Sequence, residues 1–231
     1  MKKKSVVLFS VALALFVLFA AFTVLVAFCD TAVITYASEE QAEIGFAGIN
    51  QAVFQAIGEN ALWYDFTEFL GVIALAVAAL FALVGFYQLV KSRRLGSVDR
   101  EILLLAALYV LVVLFYILFE LIIINYRPVL IDGELEASYP SSHTMLATCI
   151  FVSAPFACKH MIKNSLTHAV VSLLCFVFAL LTVIGRLLSG VHWLTDIIGA
   201  LLLSASLILL YLAALALLNE TAPCQKHRSH K

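Results

Sequence analysis

The sequence predicts an all-α membrane protein with six transmembrane helices, and two observations support this class. Of the 231 residues, 64% are hydrophobic and only 13% are charged, whereas a soluble domain is about half apolar and about a quarter charged. The apolar residues also form continuous runs of roughly 20 residues, the length that crosses a bilayer as a helix. A membrane β-barrel would instead show period-two alternation.

Six apolar runs define the predicted spans. They lie at about 5–28, 69–90, 102–124, 143–158, 167–185 and 196–218. Because these runs occupy most of the chain, we expect residues 1–231 to form a single polytopic membrane domain, with a core at about 69–218. The first run follows three lysines, as in a signal peptide, but its length favours a retained signal-anchor. Residues 38–68 are expected to form an exposed loop with a short amphipathic stretch near Ile49 to Ile57.

The positions of the basic residues predict the orientation. The chain has 14 Lys and Arg residues against 15 Asp and Glu. All the basic residues except Arg127 and Arg186 fall before the first span, in the second and fourth loops, or in the tail. Because loops rich in Lys and Arg stay in the cytoplasm, we expect a multi-pass plasma-membrane protein with both termini inside. The chain has no basic stripe of the kind that binds nucleic acid.

Polar residues that are costly near hydrocarbon cluster at the predicted outer ends of the spans, and such residues indicate a functional site. One group follows the third span, a second begins the fourth, and a third joins the fifth and sixth. The candidate residues are Arg127, Ser141, Ser142, His143, Arg186, His192 and Asp196.

The residue types in this cluster suit a phosphoryl group. Arg127 and Arg186 can each bind phosphate oxygens through parallel N–H groups. The serines after Pro140 indicate the first turn of a helix, where unpaired N–H groups and the helix dipole attract anions. His192 and Asp196 are four residues apart, so on a helical turn they share a face and the carboxylate can orient the imidazole.

His143 comes from a different segment and can give a proton to a leaving alkoxide. A competing hypothesis uses His143, His192 and Asp196 as ligands of zinc or iron. Two permanently cationic arginines at the same depth favour an anion instead, so we expect no metal.

These motifs resemble the signature of the type 2 phosphatidic acid phosphatase superfamily, which shares its core with the vanadium haloperoxidases. That signature consists of K-x6-R-P, then P-S-G-H, then S-R-x5-H-x3-D. The matching residues here are Arg127-Pro128, Pro140-Ser141-Ser142-His143, and Arg186, His192 and Asp196 at the family's spacing. The resemblance extends to the six-helix plan, and it implies a lipid phosphatase/haloperoxidase-like helical bundle.

The resemblance implies a role for each matching residue. It makes His192 the nucleophile that forms a phosphohistidine, Asp196 its orienting partner, and His143 the general acid. The phosphate-binding groups it implies are Arg127, Arg186, Ser141 and the backbone N–H of Ser142. Members of the superfamily resemble one another in needing no metal, and we expect no cofactor.

Three positions depart from the signature. Gly185 replaces a serine and Ser142 replaces a glycine, which are mild changes because the backbone N–H groups remain. Glu120 stands where the family has a phosphate-binding lysine. Seven residues are nearly two helical turns, so we expect Glu120 to lie beneath Arg127 on the same face. There it would repel phosphate, tether Arg127, or receive an amine or hydroxyl of the substrate.

The implied function is hydrolysis of a lipid phosphate or diphosphate at the outer face. Candidate substrates are phosphatidic acid, phosphatidylglycerol phosphate and a polyprenyl diphosphate, presented by the surrounding membrane lipid. Two alternatives stay open: a phosphotransferase that uses the same phosphohistidine, and a non-catalytic lipid-binding or transport-associated protein that retains the fold. The sequence indicates neither the particular lipid nor the oligomeric state.

Overall fold

Six long helices form the bundle in the computed structural model, which describes residues 3–159 and 161–221. They are α1 (Lys3–Phe28), α3 (Ala61–Ser92), α4 (Arg100–Leu121), α5 (Ser142–Cys158), α6 (Ser165–Leu188) and α7 (Leu194–Thr221). Five of them are long and apolar enough to cross a membrane, and α5 is a shorter apolar helix. The predicted all-α membrane architecture is confirmed.

Shorter elements lie between the long helices. They are the strands β1 (Ala32–Thr35) and β2 (Gln41–Ile44), the helix α2 (Ala47–Ile57) and one 3₁₀ turn (Leu95–Ser97). The strands pair as an antiparallel hairpin. Helix α2 confirms the amphipathic stretch expected near Ile49 to Ile57.

The expectation of a loop over all of residues 38–68 is wrong. Helix α3 begins at Ala61 because the Asn60 side chain caps it, accepting a hydrogen bond from the Trp63 N–H. The first turns of α3 mix polar and apolar residues, so a search for continuous apolar runs misses them. As a result, Glu68 belongs to a helix that faces the centre of the bundle rather than to an exposed loop. Helix α4 ends at Leu121, before the predicted 124.

Helix α5 lies at the centre, in contact with α3, α4, α6 and α7, while α1 packs along α7. The Ser206 hydroxyl of α7 donates to the Ala12 carbonyl of α1 at 2.9 Å. Close to the start of α5, the Phe19 ring of α1 stacks on Tyr139, with centroids 6.3 Å apart. The first helix is therefore packed into the bundle beside the start of α5.

The hairpin and α2 hold the first residues of α7 in place. Buried Asn50 of α2 donates to the Gly45 carbonyl and to the Thr195 hydroxyl, both at 2.9 Å. Its side-chain oxygen accepts from the Thr195 N–H at 3.2 Å. The Gly45 N–H donates in turn to the Asn125 side chain at 2.9 Å. These bonds join three chain segments around the turn that precedes α7.

The segment between α4 and α5 leaves the bundle and returns alongside itself. The Arg127 N–H donates to the Glu136 carbonyl at 3.1 Å, and the Ser138 N–H donates to the Asn125 carbonyl at 2.9 Å. This antiparallel pairing brings Arg127, Glu136 and Ser138 to one place, next to the first turn of α5.

Candidate active site

His192 lies at the centre of the candidate site, in the turn between α6 and α7, and is only 3% exposed. Its Nε2 atom lies 3.5 Å from Nη1 of Arg127 and 3.3 Å from Nη2 of Arg186. Arg127 comes from the segment between α4 and α5, and Arg186 from the last turn of α6. Residues that are far apart in sequence thus converge on one imidazole nitrogen.

A serine links His192 to Asp196. The His192 Nδ1 atom lies 3.3 Å from the Ser138 hydroxyl, which donates its proton to Oδ2 of Asp196. A hydroxyl has only one proton to donate, so Ser138 must accept a hydrogen bond from an Nδ1–H. The Nε2 atom of the neutral ring is then unprotonated, and its lone pair points toward the two arginines.

Asp196 is held in place to make this link. Its Oδ2 atom accepts a hydrogen bond from the Trp193 N–H at 2.8 Å and lies 3.5 Å from Nδ1 of His192. The direct carboxylate–imidazole contact that the spacing in the sequence indicated is this 3.5 Å approach, and the Ser138 hydroxyl lies beside it, within hydrogen-bond distance of both groups. Sequence reasoning missed Ser138; its only signal was its position two residues before Pro140.

The surroundings of His192 favour its neutral form. Burial, and then the charges of Arg127 and Arg186, hold the pKa of His192 well below its ordinary value. Protonation would place a third positive charge between two guanidinium groups. The ring is therefore neutral at physiological pH, as a nitrogen nucleophile must be.

His143 and Arg186 share one carboxylate. His143 stands in the first turn of α5, and its Nε2 atom lies 3.1 Å from Oε2 of Glu68. The other oxygen, Oε1, accepts from Nη1 of Arg186 at 2.9 Å. Sequence reasoning assigned Glu68 to the outer loop, and so missed that this residue of α3 reaches two candidate site residues.

Arg127 is also paired with a carboxylate, but this carboxylate belongs to Glu136 and not to Glu120, the residue that the sequence suggested. Its Nε atom forms an ion pair with Oε2 of Glu136 at 3.0 Å. The expectation that Glu120 lies beneath Arg127 on one helical face is wrong, because α4 ends at Leu121 and Arg127 follows in a non-helical segment. Each arginine at the site is thus paired with a separate glutamate.

The two serines at the start of α5 have different positions. The Ser141 hydroxyl caps the helix, accepting from the Thr144 N–H at 3.4 Å and donating to the Thr144 hydroxyl at 3.0 Å. Ser142 is the first helical residue and lines the same crevice as His192. The first N–H groups of a helix lack intrahelical partners, so this end of α5 offers donors to an anion.

Among residues 3–159 and 161–221, no three His, Cys, Asp or Glu side chains are arranged to hold a metal ion. His143, His192 and Asp196, the set considered for zinc or iron, do not form such a group. His143 is bonded to Glu68, whereas His192 and Asp196 contact each other and Ser138. The cluster offers an anion the guanidinium groups of Arg127 and Arg186.

A model of the PAP2 superfamily matches residues 105–219. The chain belongs to the PAP2 superfamily. Over 80 residues it is 38% identical to phosphatidylglycerophosphatase B of Bacillus subtilis strain 168. That match covers 34% of this chain and 38% of the relative. The match therefore spans well under half of the relative's length.

The fold extends beyond the matched segment. The structure is similar to the crystal structure of the first transmembrane PAP2 type phosphatidylglycerolphosphate phosphatase from Bacillus subtilis, with a TM-score of 0.62 and 20% sequence identity. The superposition covers 93% of this chain and 98% of that chain. Almost the whole chain, including α1 to α3, thus has the helical arrangement of a PAP2 membrane protein.

An apolar cleft of about 280 Å³ begins at His143 and Glu68 and runs between α3, α4 and α5. Its walls are Gly71, Val72, Leu75, Val112, Val113, Tyr116, Met145 and Leu146. A second apolar cavity of about 480 Å³ lies farther along α3 and α4, beginning one helical turn away at Ala78 and Tyr109. In this PAP2 protein, apolar space therefore adjoins the polar cluster.

Glu120 lies on the other side of the cluster. It lines a narrow crevice together with His192, Ser138 and Ser142. A carboxylate in that crevice opposes the positive potential of the two arginines, because like charges a few ångströms apart repel.

Replacing Glu120 with lysine is expected to strengthen the binding of inorganic phosphate. Reversing one charge in the crevice should lower the dissociation constant about tenfold, equivalent to about 1.4 kcal/mol. Titration of the purified protein with phosphate, followed by ³¹P NMR line broadening, measures the effect. Glu134→Lys makes the same charge change in an exposed turn and controls for net charge. Equal affinities for both variants would place Glu120 out of reach of the anion.

Proposed function

We propose that this PAP2 protein is an integral membrane phosphatase that hydrolyses a lipid phosphate or diphosphate through a phosphohistidine on His192. The observation that carries the proposal is the position of the buried His192 Nε2 atom, 3.5 Å from a guanidinium nitrogen of Arg127 and 3.3 Å from one of Arg186. A nucleophile and a pair of phosphate-binding cations therefore occupy one position. The phosphatase names of its relatives support a lipid phosphate as the substrate class and make phosphatidylglycerol phosphate the first candidate.

In the first step, the substrate phosphoryl group takes the arginine contacts that Nε2 has in the free protein. The Nε2 lone pair forms the N–P bond, and the bond from phosphorus to the lipid oxygen breaks. His143 gives a proton to the leaving lipid alkoxide. Arg127, Arg186 and the N–H groups at the start of α5 stabilise the charge on the phosphoryl oxygens. Asp196, through Ser138, balances the positive charge that develops on His192.

In the second step, a water molecule attacks the phosphorus of the phosphohistidine. His143, now neutral, accepts a proton from this water, the N–P bond breaks, and inorganic phosphate leaves. Both histidines return to their starting states, so the cycle needs only lipid phosphate and water.

The cleft supports a lipid as the leaving group. His143 must lie next to the leaving oxygen, and the cleft begins at His143 and leads away between apolar side chains of α3 and α4. An alkyl chain attached to the leaving oxygen would be buried there, with a gain of about 0.8 kcal/mol per CH₂ group. A soluble phosphate ester would leave this surface uncovered.

The charge distribution supports an active site at the outer face of the plasma membrane. Lys91 lies in the last turn of α3, with Arg93 and Arg94 directly after the helix, and Lys159 follows α5 at that same end of the bundle. His192 lies at the opposite end. Because basic loops stay in the cytoplasm, the catalytic end would face outward and both termini inward.

The experiment that tests the proposed function is phosphate release from a panel of lipid phosphates by the protein purified in detergent. We expect turnover of at least one lipid and its complete loss in His192→Gln. The same replacement at His168, on α6 near the other end of the bundle, should retain activity. The proposal fails if the wild type releases no phosphate from any lipid, or if His192→Gln remains active.

The pH profile is a second test. Protonation of Nε2 removes the attacking lone pair, and because the pKa of His192 is lowered, this loss occurs only in more acidic solution than for an ordinary histidine. We expect the acidic limb of kcat/KM to lie clearly below pH 6.5, the usual value for histidine. An acidic limb at or above that value would contradict the buried, arginine-flanked state of the ring.

Orientation can be tested on intact cells. A protease-cleavable tag after the C-terminus should resist external protease, whereas the same tag inserted at Gly133, in the exposed turn between α4 and α5, should be cleaved. The opposite pattern would reverse the proposed topology without changing the chemistry of the site.

A further inference from the structure

We propose that Glu68 and Gly71 of α3 form a seat that positions His143 for proton transfer to the leaving group, an inference that rests on the proposed function. Helix α3 lies outside the segment matched by the family model, which begins at residue 105. The seat is therefore a contribution of this chain to the site from outside the matched motifs.

Glu68 holds the Nε2 edge of the imidazole, which leaves Nδ1, buried and without a hydrogen-bond partner among the described residues, as the nitrogen that gives its proton to the leaving oxygen. Its Oε2 atom lies 3.1 Å from the His143 Nε2 atom, and its Oε1 atom accepts from Arg186 at 2.9 Å. Because the second contact anchors the carboxylate to a fully buried guanidinium group, the first contact fixes the ring relative to the phosphate-binding residues. Glu68 thus links the proposed acid to one of the proposed phosphate ligands.

Gly71 makes room for the ring against the helix. A Cβ atom at this position would lie 3.0 Å from Cδ2 and 3.4 Å from Nε2 of His143. Residues 68 and 71 are three apart, so they lie on one face of α3. One residue of this face bonds the imidazole and the other lets it approach the backbone closely.

The same face of α3 also orients Arg186. Nη1 of Arg186 donates to the Thr67 hydroxyl at 3.3 Å as well as to Glu68, while its Nη2 atom faces His192. A Cβ at Gly185 would lie 2.5 Å from Cγ2 of Thr67. Glycine at position 185, in place of the family serine, therefore lets α3 pack closely against α6. The Thr67 hydroxyl of α3 can then accept a hydrogen bond from Arg186.

If Glu68 and Gly71 position the acid His143, their loss should affect substrates with poor leaving groups most, whereas a purely structural role would affect all substrates alike. Proton donation matters for a poor leaving group, such as the alkoxide of a lipid, and matters little for p-nitrophenolate, which is stable as an anion. General acid catalysis contributes about 10²- to 10⁴-fold. Loss of the seat should therefore slow lipid phosphate hydrolysis far more than p-nitrophenyl phosphate hydrolysis.

The experiment compares kcat/KM for the two substrates in Glu68→Gln and Gly71→Ala, because this ratio reports the steps up to departure of the leaving group and not the later hydrolysis of the phosphohistidine, in which His143 also takes part. We expect both variants to lose about tenfold to 100-fold on the lipid phosphate and less than about threefold on p-nitrophenyl phosphate. Gly71→Ala leaves the Arg186 contacts intact, so it isolates the effect on His143. Gly85→Ala makes the same change elsewhere on α3, where the new Cβ would lie 3.0 Å from an Ile102 methyl group, and should alter neither rate.

Thr67→Val removes a hydrogen bond to Arg186 and not a contact to His143, so it should lower the rates on both substrates by similar factors. Equal losses on the two substrates in both Glu68→Gln and Gly71→Ala would overturn the seat while leaving the phosphatase proposal intact. A wild-type protein that hydrolyses neither substrate would refute the phosphatase proposal itself and the seat with it. Thermal unfolding of each variant in detergent shows whether a rate loss reflects misfolding.

Discussion

Two guanidinium groups directed at one imidazole nitrogen are the constraint on which the rest of this structure depends. Arg127 and Arg186 lie 3.5 and 3.3 Å from Nε2 of His192, and like charges this close repel in a buried site. The surrounding carboxylates offset that repulsion: Glu136 pairs with Arg127 and Glu68 with Arg186. Much of the end of the bundle that carries His192 holds these charged groups in position.

The need to hold these charged groups near His192 explains why elements outside the family-matched segment pack closely around the site. Asn50 of α2 fixes the start of α7 by bonding Thr195, three residues after His192, and its three side-chain hydrogen bonds are all buried. Tyr36, next to the hairpin, donates to the Arg127 carbonyl at 2.7 Å. The hairpin, α2 and α3 therefore support the backbone that carries the charged side chains.

The sequence was informative where function depends on local spacing and uninformative where it depends on the path of the chain. Apolar runs predicted six helices, and the arrangement of basic residues singled out Arg127 and Arg186, which do meet. Glu68 was missed because polar residues in the first turns of α3 interrupt the apolar pattern. Ser138 and Glu136 were missed because only the antiparallel return between α4 and α5 brings them to the site. The helical relation assumed between Glu120 and Arg127 failed for the same reason.

The pairing of each arginine with a carboxylate also affects how strongly the site attracts anions from solution. The cluster holds Arg127 and Arg186 against Glu68, Glu120, Glu136 and Asp196, so it has little net positive field with which to draw anions from solution. Small phosphates in solution would therefore gain little by approaching it. The lipid substrate proposed above would need no such attraction, because lateral diffusion in the bilayer would bring its head group to the cleft. Under that proposal, the charge balance favours ligands that arrive through the membrane over ligands that arrive from solution.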